Sequence, residues 1–146
     1  MEGSAQITVT EQRITEDQIL IIENDELMRE LLTLYLSREF SALSLVEASD
    51  ATEAIEQLSL QKPCIVILDS FLAEPESCDV LEVLNYQDEG ILIIFLTASE
   101  VSKSDIISNF ENIHSGQIEI LQKPFDVKDL GITIHHLLSP DKSEND

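Results

Sequence analysis

Acidic, hydroxyl and basic residues follow several apolar runs of the sequence, and together these types could carry out chemistry on a phosphoryl group. They are Glu23-Asn24-Asp25 after QILII, Asp69 at the end of CIVILD, Thr97 in ILIIFLTAS and Lys123-Pro124 after a short apolar run. Carboxylate oxygens suit a hard cation such as Mg²⁺. An aspartate can attack phosphorus and form an aspartyl phosphate. The metal, a hydroxyl and an ammonium group would then neutralise the charge of the phosphoryl group.

These residues could meet only if the apolar runs lie side by side in one sheet. CIVIL and ILIIFL are apolar at every position, which indicates strands buried on both faces and therefore a parallel sheet covered by helices. Stretches with helical spacing separate the runs, so the chain divides into five strand–helix units. We predict a three-layer α/β/α sandwich. Ligands bind beyond the carboxyl ends of such strands, which is where the reactive types fall.

The spacing of apolar residues also predicts which helix faces are buried. In the first helix they are Leu27, Leu31 and Tyr35, with Met28 and Leu32 alongside. In the fourth helix they are Ile106, Phe110 and Ile113. Asp50 and Glu53 form the pattern of a reciprocal cap at the start of the second helix. Gly131 should weaken the last helix by roughly 1 kcal/mol relative to alanine.

Composition restricts the classes of partner. The 146 residues are 43% hydrophobic, enough for one buried core, and carry eight Lys plus Arg against 29 Asp plus Glu, a net charge of −21. Such a surface repels nucleic acid and anionic membranes, so we expect neither to bind directly. The start of the sequence has neither the pattern of a signal peptide nor an apolar run long enough to span a bilayer, and we expect a cytoplasmic protein. We predict flexible ends at 1–17 and 140–146 around one domain at 18–139.

Four motifs, in their order and spacing, resemble the receiver domains of response regulators, including the chemotaxis-regulator type. They are IIEND, VILD, FLTAS and LQKPF, and the resemblance extends from about Gln18 to Leu138. It implies a five-stranded parallel sheet of order 2-1-3-4-5 and Asp69 as the phosphoacceptor. It also implies that Thr97 and Lys123 bind phosphoryl oxygens, that the acids after the first strand hold Mg²⁺, and that Pro124 follows a cis peptide bond. The implied partners are a sensor histidine kinase or phosphotransfer protein and a downstream protein target.

Three positions depart from the pattern of that family. Asn24 stands where a second acid would ligate the metal directly, and Asp25 could compensate. The loop after the phosphoacceptor is SFLAEPESCD, which displaces the proline and alters the segment in which the carbonyl group of Phe71 would bind the metal. Ile120 replaces an aromatic residue three positions before Lys123. The implied metal ligands are therefore Glu23, Asn24, Asp25, Asp69 and Phe71.

Simpler interpretations stand beside these. Residues 23–25 could cap the first helix, and Lys123 could pair with Asp126. The leading functional hypothesis is Mg²⁺-dependent phosphorylation of Asp69 with output to a partner in trans. The protein would not be an enzyme beyond catalysing its own phosphorylation and dephosphorylation. The alternative is a pseudo-receiver that binds proteins without phosphorylation. A nucleotide- or flavin-binding enzyme is disfavoured because no glycine-rich loop follows the first strand.

The resemblance also implies an output surface, built from the fourth helix, fifth strand and fifth helix. It is also the candidate surface for a homodimer. Its predicted exposed residues are Lys103, Ile107, Lys128 and His135.

Overall fold

The computed structural model describes residues 18–69, 75–87, 90–98 and 100–138, with the side chains of 75–78 left out. The predicted flexible ends and the carbonyl group of Phe71 lie outside these residues. The strands are β1 (Gln18–Ile22), β2 (Ser44–Ala48), β3 (Ile65–Asp69), β4 (Leu92–Thr97) and β5 (Ile118–Gln122). The helices are α1 (Glu26–Glu39), α2 (Ala51–Leu60), α3 (Pro75–Asn85), α4 (Lys103–Ile107) and α5 (Val127–Leu137), with a short 3₁₀ turn at Ser115–Gln117.

All five strands are parallel and lie in the order β2-β1-β3-β4-β5, as predicted. Every residue of β1 and β3 is buried, because these central strands are covered by helices on both faces. Helices α1 and α5 pack on one face of the sheet, and α2, α3 and α4 pack on the other. The predicted three-layer sandwich is therefore confirmed.

The buried face of α1 differs from the predicted one. Leu32 and Leu36 are fully buried against the sheet, whereas Leu27 and Leu31 are 77% and 48% exposed. The helix carries apolar residues around more than one side, so spacing alone did not identify the side that faces the sheet. The apolar residues Leu27 and Leu31 remain on the surface.

Helix α4 is shorter than predicted and ends at Ile107. Ile106 is buried as expected, but Phe110 and Ile113 pack against the core from the turns that follow the helix. The side chain of Asn85 accepts a hydrogen bond from the backbone N–H of Asn112 at 2.9 Å, which holds this segment in its non-helical path. Three apolar residues at helical spacing therefore share a core without sharing a helix.

Helix ends and close packing follow local chemistry. Asp50 accepts from the N–H of Glu53 at 2.8 Å, but the carboxylate of Glu53 accepts from Ser49, one residue earlier than the predicted partner. Gly131 lies against Tyr35 of α1: a β-carbon added there would overlap the tyrosine hydroxyl group and lie 3.1 Å from Cζ. Within the described residues no helix has the length and apolar character needed to cross a membrane.

Candidate functional site

The carboxyl ends of four strands bring the predicted reactive residues to one edge of the sheet. Glu23 directly follows β1, Asp69 ends β3, Thr97 ends β4 and Lys123 directly follows β5. The backbone N–H of Lys123 donates to the carbonyl oxygen of Thr97 at 2.7 Å, which ties the last two strand ends together. Glu23, Asp69 and Thr97 are buried polar residues at this edge of a mainly apolar core. Their position follows from the parallel sheet, because the carboxyl ends of parallel strands all meet at the same edge.

Lys123 forms an ion pair with Asp69. Its Nζ donates to Oδ1 of Asp69 at 2.7 Å, and the side chains are 24% and 3% exposed, respectively. The alternative pairing of Lys123 with Asp126 is wrong, since Asp126 caps α5 through the N–H of Lys128. The Lys123–Pro124 peptide bond is cis, as predicted. An ammonium group in direct contact with a buried carboxylate is suited to neutralise charge that develops on an attached group.

Glu23 lies beside this ion pair in an environment that disfavours its charge. Its Oε2 accepts from the N–H of Asp25 at 3.2 Å, whereas its Oε1 is buried and accepts no hydrogen bond in the described part of the chain. The pKa of Glu23 is raised from 4.5 to about 7; burial is the largest cause, and the neighbouring carboxylate of Asp69 contributes through a hydrogen bond and charge repulsion. The hydrogen bond from the N–H of Asp25 and the charge of Lys123 lower the pKa of Glu23, but by smaller amounts.

Asn24 and Asp25 are exposed, and the capping interpretation holds for Asp25. Its Oδ1 accepts from the N–H groups of Leu27 and Met28 at 3.0 and 3.3 Å, which starts α1. Arg29 steadies the same turn, because it donates from its guanidinium group to the carbonyl oxygen of Glu23 at 2.7 Å. The role of Asn24 and Asp25 as metal ligands stays a prediction.

The donor atoms fit a Mg²⁺ ion that keeps part of its water shell. Among the described residues, no three His, Cys, Asp or Glu side chains are close enough to enclose a metal by themselves. Mg²⁺ is commonly held by one or two carboxylates plus waters and phosphate oxygens. Glu23 and Asp69 supply two carboxylates, and the buried Oε1 of Glu23, which accepts no hydrogen bond from the described residues, is an oxygen that a cation would satisfy.

An apolar cleft lies next to the site, and the sequence interpretation did not identify it. It has a volume of about 340 Å³ and is lined by Met28, Leu31, Lys123, Pro124, Phe125 and Val127. Leu34, one turn further along α1 from Leu31, is also exposed. The signal was present in the surplus of leucines in α1, which exceeds what one buried face requires.

The residues predicted for the output surface differ in exposure and contacts, and their role in output stays a prediction. Lys128 is exposed, and Lys103 lies 3.6 Å from Glu119 of β5. Ile107 is half-buried against the core. His135 is exposed, as predicted, but it contacts the end of α1: its Nε2 lies 2.9 Å from the carboxylate of Glu39, and its ring packs on Phe40. The helical rotation of α5 turns His135 toward α1 and away from the predicted surface.

Comparisons with known proteins agree with this arrangement. A family model described as the response regulator receiver domain matches residues 19–135. The DNA-binding response regulator MtrA of Mycolicibacterium smegmatis is 30% identical over 128 residues, which are 87% of this chain and 53% of that protein. The probable transcriptional regulatory protein TcrX of Mycobacterium tuberculosis is 23% identical over 120 residues, or 82% of this chain and 49% of that protein. The chain thus spans about half the length of these curated relatives.

Solved structures show the same fold. The signal receiver domain of a putative LuxO repressor protein from Vibrio parahaemolyticus matches with a TM-score of 0.70 at 23% identity, over 89% of this chain and 95% of that one. A CheY-like receiver domain protein from Methanospirillum hungatei matches with a TM-score of 0.69 at 20% identity, over 88% and 98%. The chain belongs to the response regulator receiver domain family. It is therefore a receiver domain of two-component signalling.

Proposed function

We propose that this receiver domain accepts a phosphoryl group on Asp69 in a Mg²⁺-dependent reaction. The contact that carries this proposal is the 2.7 Å bond from Nζ of Lys123 to Oδ1 of Asp69. Oε1 of Glu23, which is buried beside them and accepts no hydrogen bond from the described residues, supports the proposal. A buried acid that is paired with a lysine and crowded by a second acid is arranged for a ligand more than for stability.

Each side chain would have a separate role in this reaction. A carboxylate oxygen of Asp69 attacks the phosphorus of a phosphohistidine on the donor protein. The bond from phosphorus to the histidine nitrogen breaks, and that nitrogen keeps the electron pair. Lys123 and the hydroxyl group of Thr97 would bind phosphoryl oxygens as charge moves onto them. Glu23 and Asp69 would hold Mg²⁺, which supplies further charge neutralisation when bound. Thr97 is buried at the end of β4.

The apolar cleft beside Lys123 suits the phosphodonor protein. Met28, Leu31 and Phe125 form walls that an apolar side chain of a donor could cover. A helical phosphotransfer protein or histidine kinase packed there would place its phosphohistidine next to the site. Exposed apolar surface that lies next to a reactive centre is typical of a protein-binding site.

Signalling would proceed through a protein contact made by the domain. Curated relatives are named as DNA-binding regulators, but this chain matches only about half of their length. The chain, at a net charge of −21, would repel the phosphates of DNA. We therefore place its output in a protein partner and not in direct contact with nucleic acid.

A pseudo-receiver is the second candidate, and the turn after β1 favours it. Asn24 carries no charge, and Oδ1 of Asp25 is already used to cap α1. Only Glu23 then remains as a buried acid from this turn. A weak metal site would slow phosphorylation, because Mg²⁺ neutralises the charge of the incoming group.

Intact-mass measurement after incubation with Mg²⁺ and a small phosphodonor separates the two candidates. We expect a gain of one phosphoryl group that is absent in Asp69→Asn. Asp79→Asn, at an exposed aspartate of α3, is the matched control and should still be phosphorylated. If the mass of the protein without substitutions does not change at saturating Mg²⁺, the pseudo-receiver is favoured.

A further inference from the structure

Arg29 of α1 reaches back to the turn that follows β1. Its Nη1 donates to the carbonyl oxygen of Glu23 at 2.7 Å, and its Nε lies 3.3 Å from Oε1 of Glu47 in β2. The side chain of Arg29 is only 17% exposed, whereas that of Glu47 is 43% exposed. One planar group with several donors therefore joins α1, the turn after β1 and strand β2.

The backbone of Glu23 is held on both sides. Its N–H donates to the carbonyl oxygen of Ala48 at 3.0 Å, and its own carbonyl oxygen accepts from Arg29. The end of β2 thus fixes the N–H directly and the carbonyl group through Glu47 and Arg29. Because a peptide unit is planar, the contact with Arg29 also sets the orientation of the bond between Glu23 and Asn24.

Helix α1 does not need Arg29 for its own position. Asp25 caps the helix through two backbone N–H groups, and Leu32 and Leu36 are fully buried against the sheet. Loss of the guanidinium group should therefore leave α1 in place and release the turn that precedes it.

We propose that Arg29 is a positioning residue for Mg²⁺ binding and that Glu47 anchors its guanidinium group. This inference rests on the proposed function, because it requires a metal held by the turn after β1. Groups that orient metal ligands without touching the metal typically contribute roughly 10- to 100-fold to affinity. The charge of Arg29 acts in the opposite direction, since a nearby cation repels Mg²⁺. Removal of the guanidinium group should thus weaken Mg²⁺ binding through positioning, whereas charge alone would make the binding tighter.

Calorimetric titration of the metal-free protein with Mg²⁺ tests this sign. We expect Arg29→Gln to bind Mg²⁺ about tenfold more weakly than the parent protein. Arg29→Lys keeps the charge but replaces the planar fork with a single nitrogen, so it should also bind more weakly than the parent. Arg38→Gln removes the same charge from the exposed last turn of α1, and its affinity should match that of the parent within about twofold.

Two further measurements distinguish positioning from a general loss of structure. In the metal-free protein, the carbonyl ¹³C resonance of Glu23 and the amide ¹⁵N resonance of Asn24 should shift in Arg29→Gln, while the amide resonances of β3 and β4 keep their positions. The Mg²⁺ concentration that gives half of the maximal phosphorylation rate should rise about tenfold, whereas the rate at saturating Mg²⁺ should change by less than about twofold.

A double-mutant cycle tests the role of Glu47. Glu47→Gln should weaken Mg²⁺ binding about two- to fivefold in the parent protein but have no effect in the Arg29→Gln background, because Glu47 acts through Arg29. Additive effects, unchanged or tighter binding by Arg29→Gln, or parent affinity in Arg29→Lys would each overturn the inference and leave the proposed function intact. A parent protein that binds no Mg²⁺ would overturn the proposed function, and the positioning role with it.

Discussion

Replacement of Glu23 by glutamine should change how folding stability depends on pH. The pKa of Glu23 is raised from 4.5 to about 7 in the folded protein, chiefly by burial and next by Asp69. An acid with a raised pKa binds its proton more tightly when folded. It therefore adds stability below pH 4.5 that is lost as the pH rises through 7. Glutamine imitates the protonated side chain at every pH, so Glu23→Gln should remove this dependence.

The size of the effect follows from the two pKa values. With 1.36 kcal/mol for each unit, the free energy of unfolding of the parent protein should fall by about 2 kcal/mol between pH 5.5 and 8.5 relative to Glu23→Gln. The two proteins should be similar in stability at pH 5.5, and the variant should be the more stable at pH 8.5. Mg²⁺ should narrow the gap at pH 8.5, because a bound cation offsets the repulsion between Glu23 and Asp69.

Urea unfolding followed by circular dichroism measures this difference in metal-free buffer. The difference between the two proteins isolates Glu23, because every other titratable group is present in both. Glu26→Gln is the control for loss of one exposed acid on α1, and its stability should run parallel to that of the parent protein. A constant difference between parent and Glu23→Gln from pH 5.5 to 8.5 would show that Glu23 is not held in a charge-disfavouring site.

Three further results are expected. Asn24→Asp should tighten Mg²⁺ binding roughly tenfold, because it adds a full negative charge to the metal site. Calorimetry measures this affinity, and an unchanged value would place residue 24 outside the metal shell. In the same titrations Asp25→Asn should weaken binding only if Asp25 is a ligand. Helix propensity alone predicts that Gly131→Ala raises the free energy of unfolding by ~1 kcal/mol, but the overlap with the hydroxyl group of Tyr35 should prevent this gain. Part of the gain should return when Tyr35→Phe removes that hydroxyl group. Equal effects of Gly131→Ala with and without Tyr35→Phe would mean that the hydroxyl group moves aside freely. Leu31→Ser should slow transfer from a phosphodonor protein severalfold but leave phosphorylation by a small phosphodonor unchanged, and an equal loss of both rates would assign no docking role to the cleft.

The amino-acid sequence by itself determined the layers of the fold and the edge at which chemistry is concentrated. Continuous apolar runs such as CIVIL require burial on both faces, and helical stretches between them require parallel strands. Parallel strands in turn place Asp69, Thr97 and Lys123 at one edge. The strand order itself came from the resemblance to the receiver family, because strand composition does not specify which strands are neighbours.

Tertiary structure decided features that depend on contacts between distant elements. Spacing in α1 predicted a buried face that includes Leu27 and Leu31, but the sheet covers Leu32 and Leu36, because the helix is apolar on more than one side. Gly131 was interpreted as a weakness of α5, yet it makes room for Tyr35 of α1.

The electrostatics of the site also depend on contacts between distant elements. Lys123 could have paired with Asp126, which is close in sequence, but the sheet brings it to Asp69, 54 positions away. His135 was assigned to an output surface, and the rotation of α5 instead places it against Glu39. A raised pKa for Glu23 requires burial beside a second carboxylate from another strand, and no local pattern specifies that. Residue types and periodicity are properties of one segment, whereas pairing and desolvation are set by the packing of several segments together.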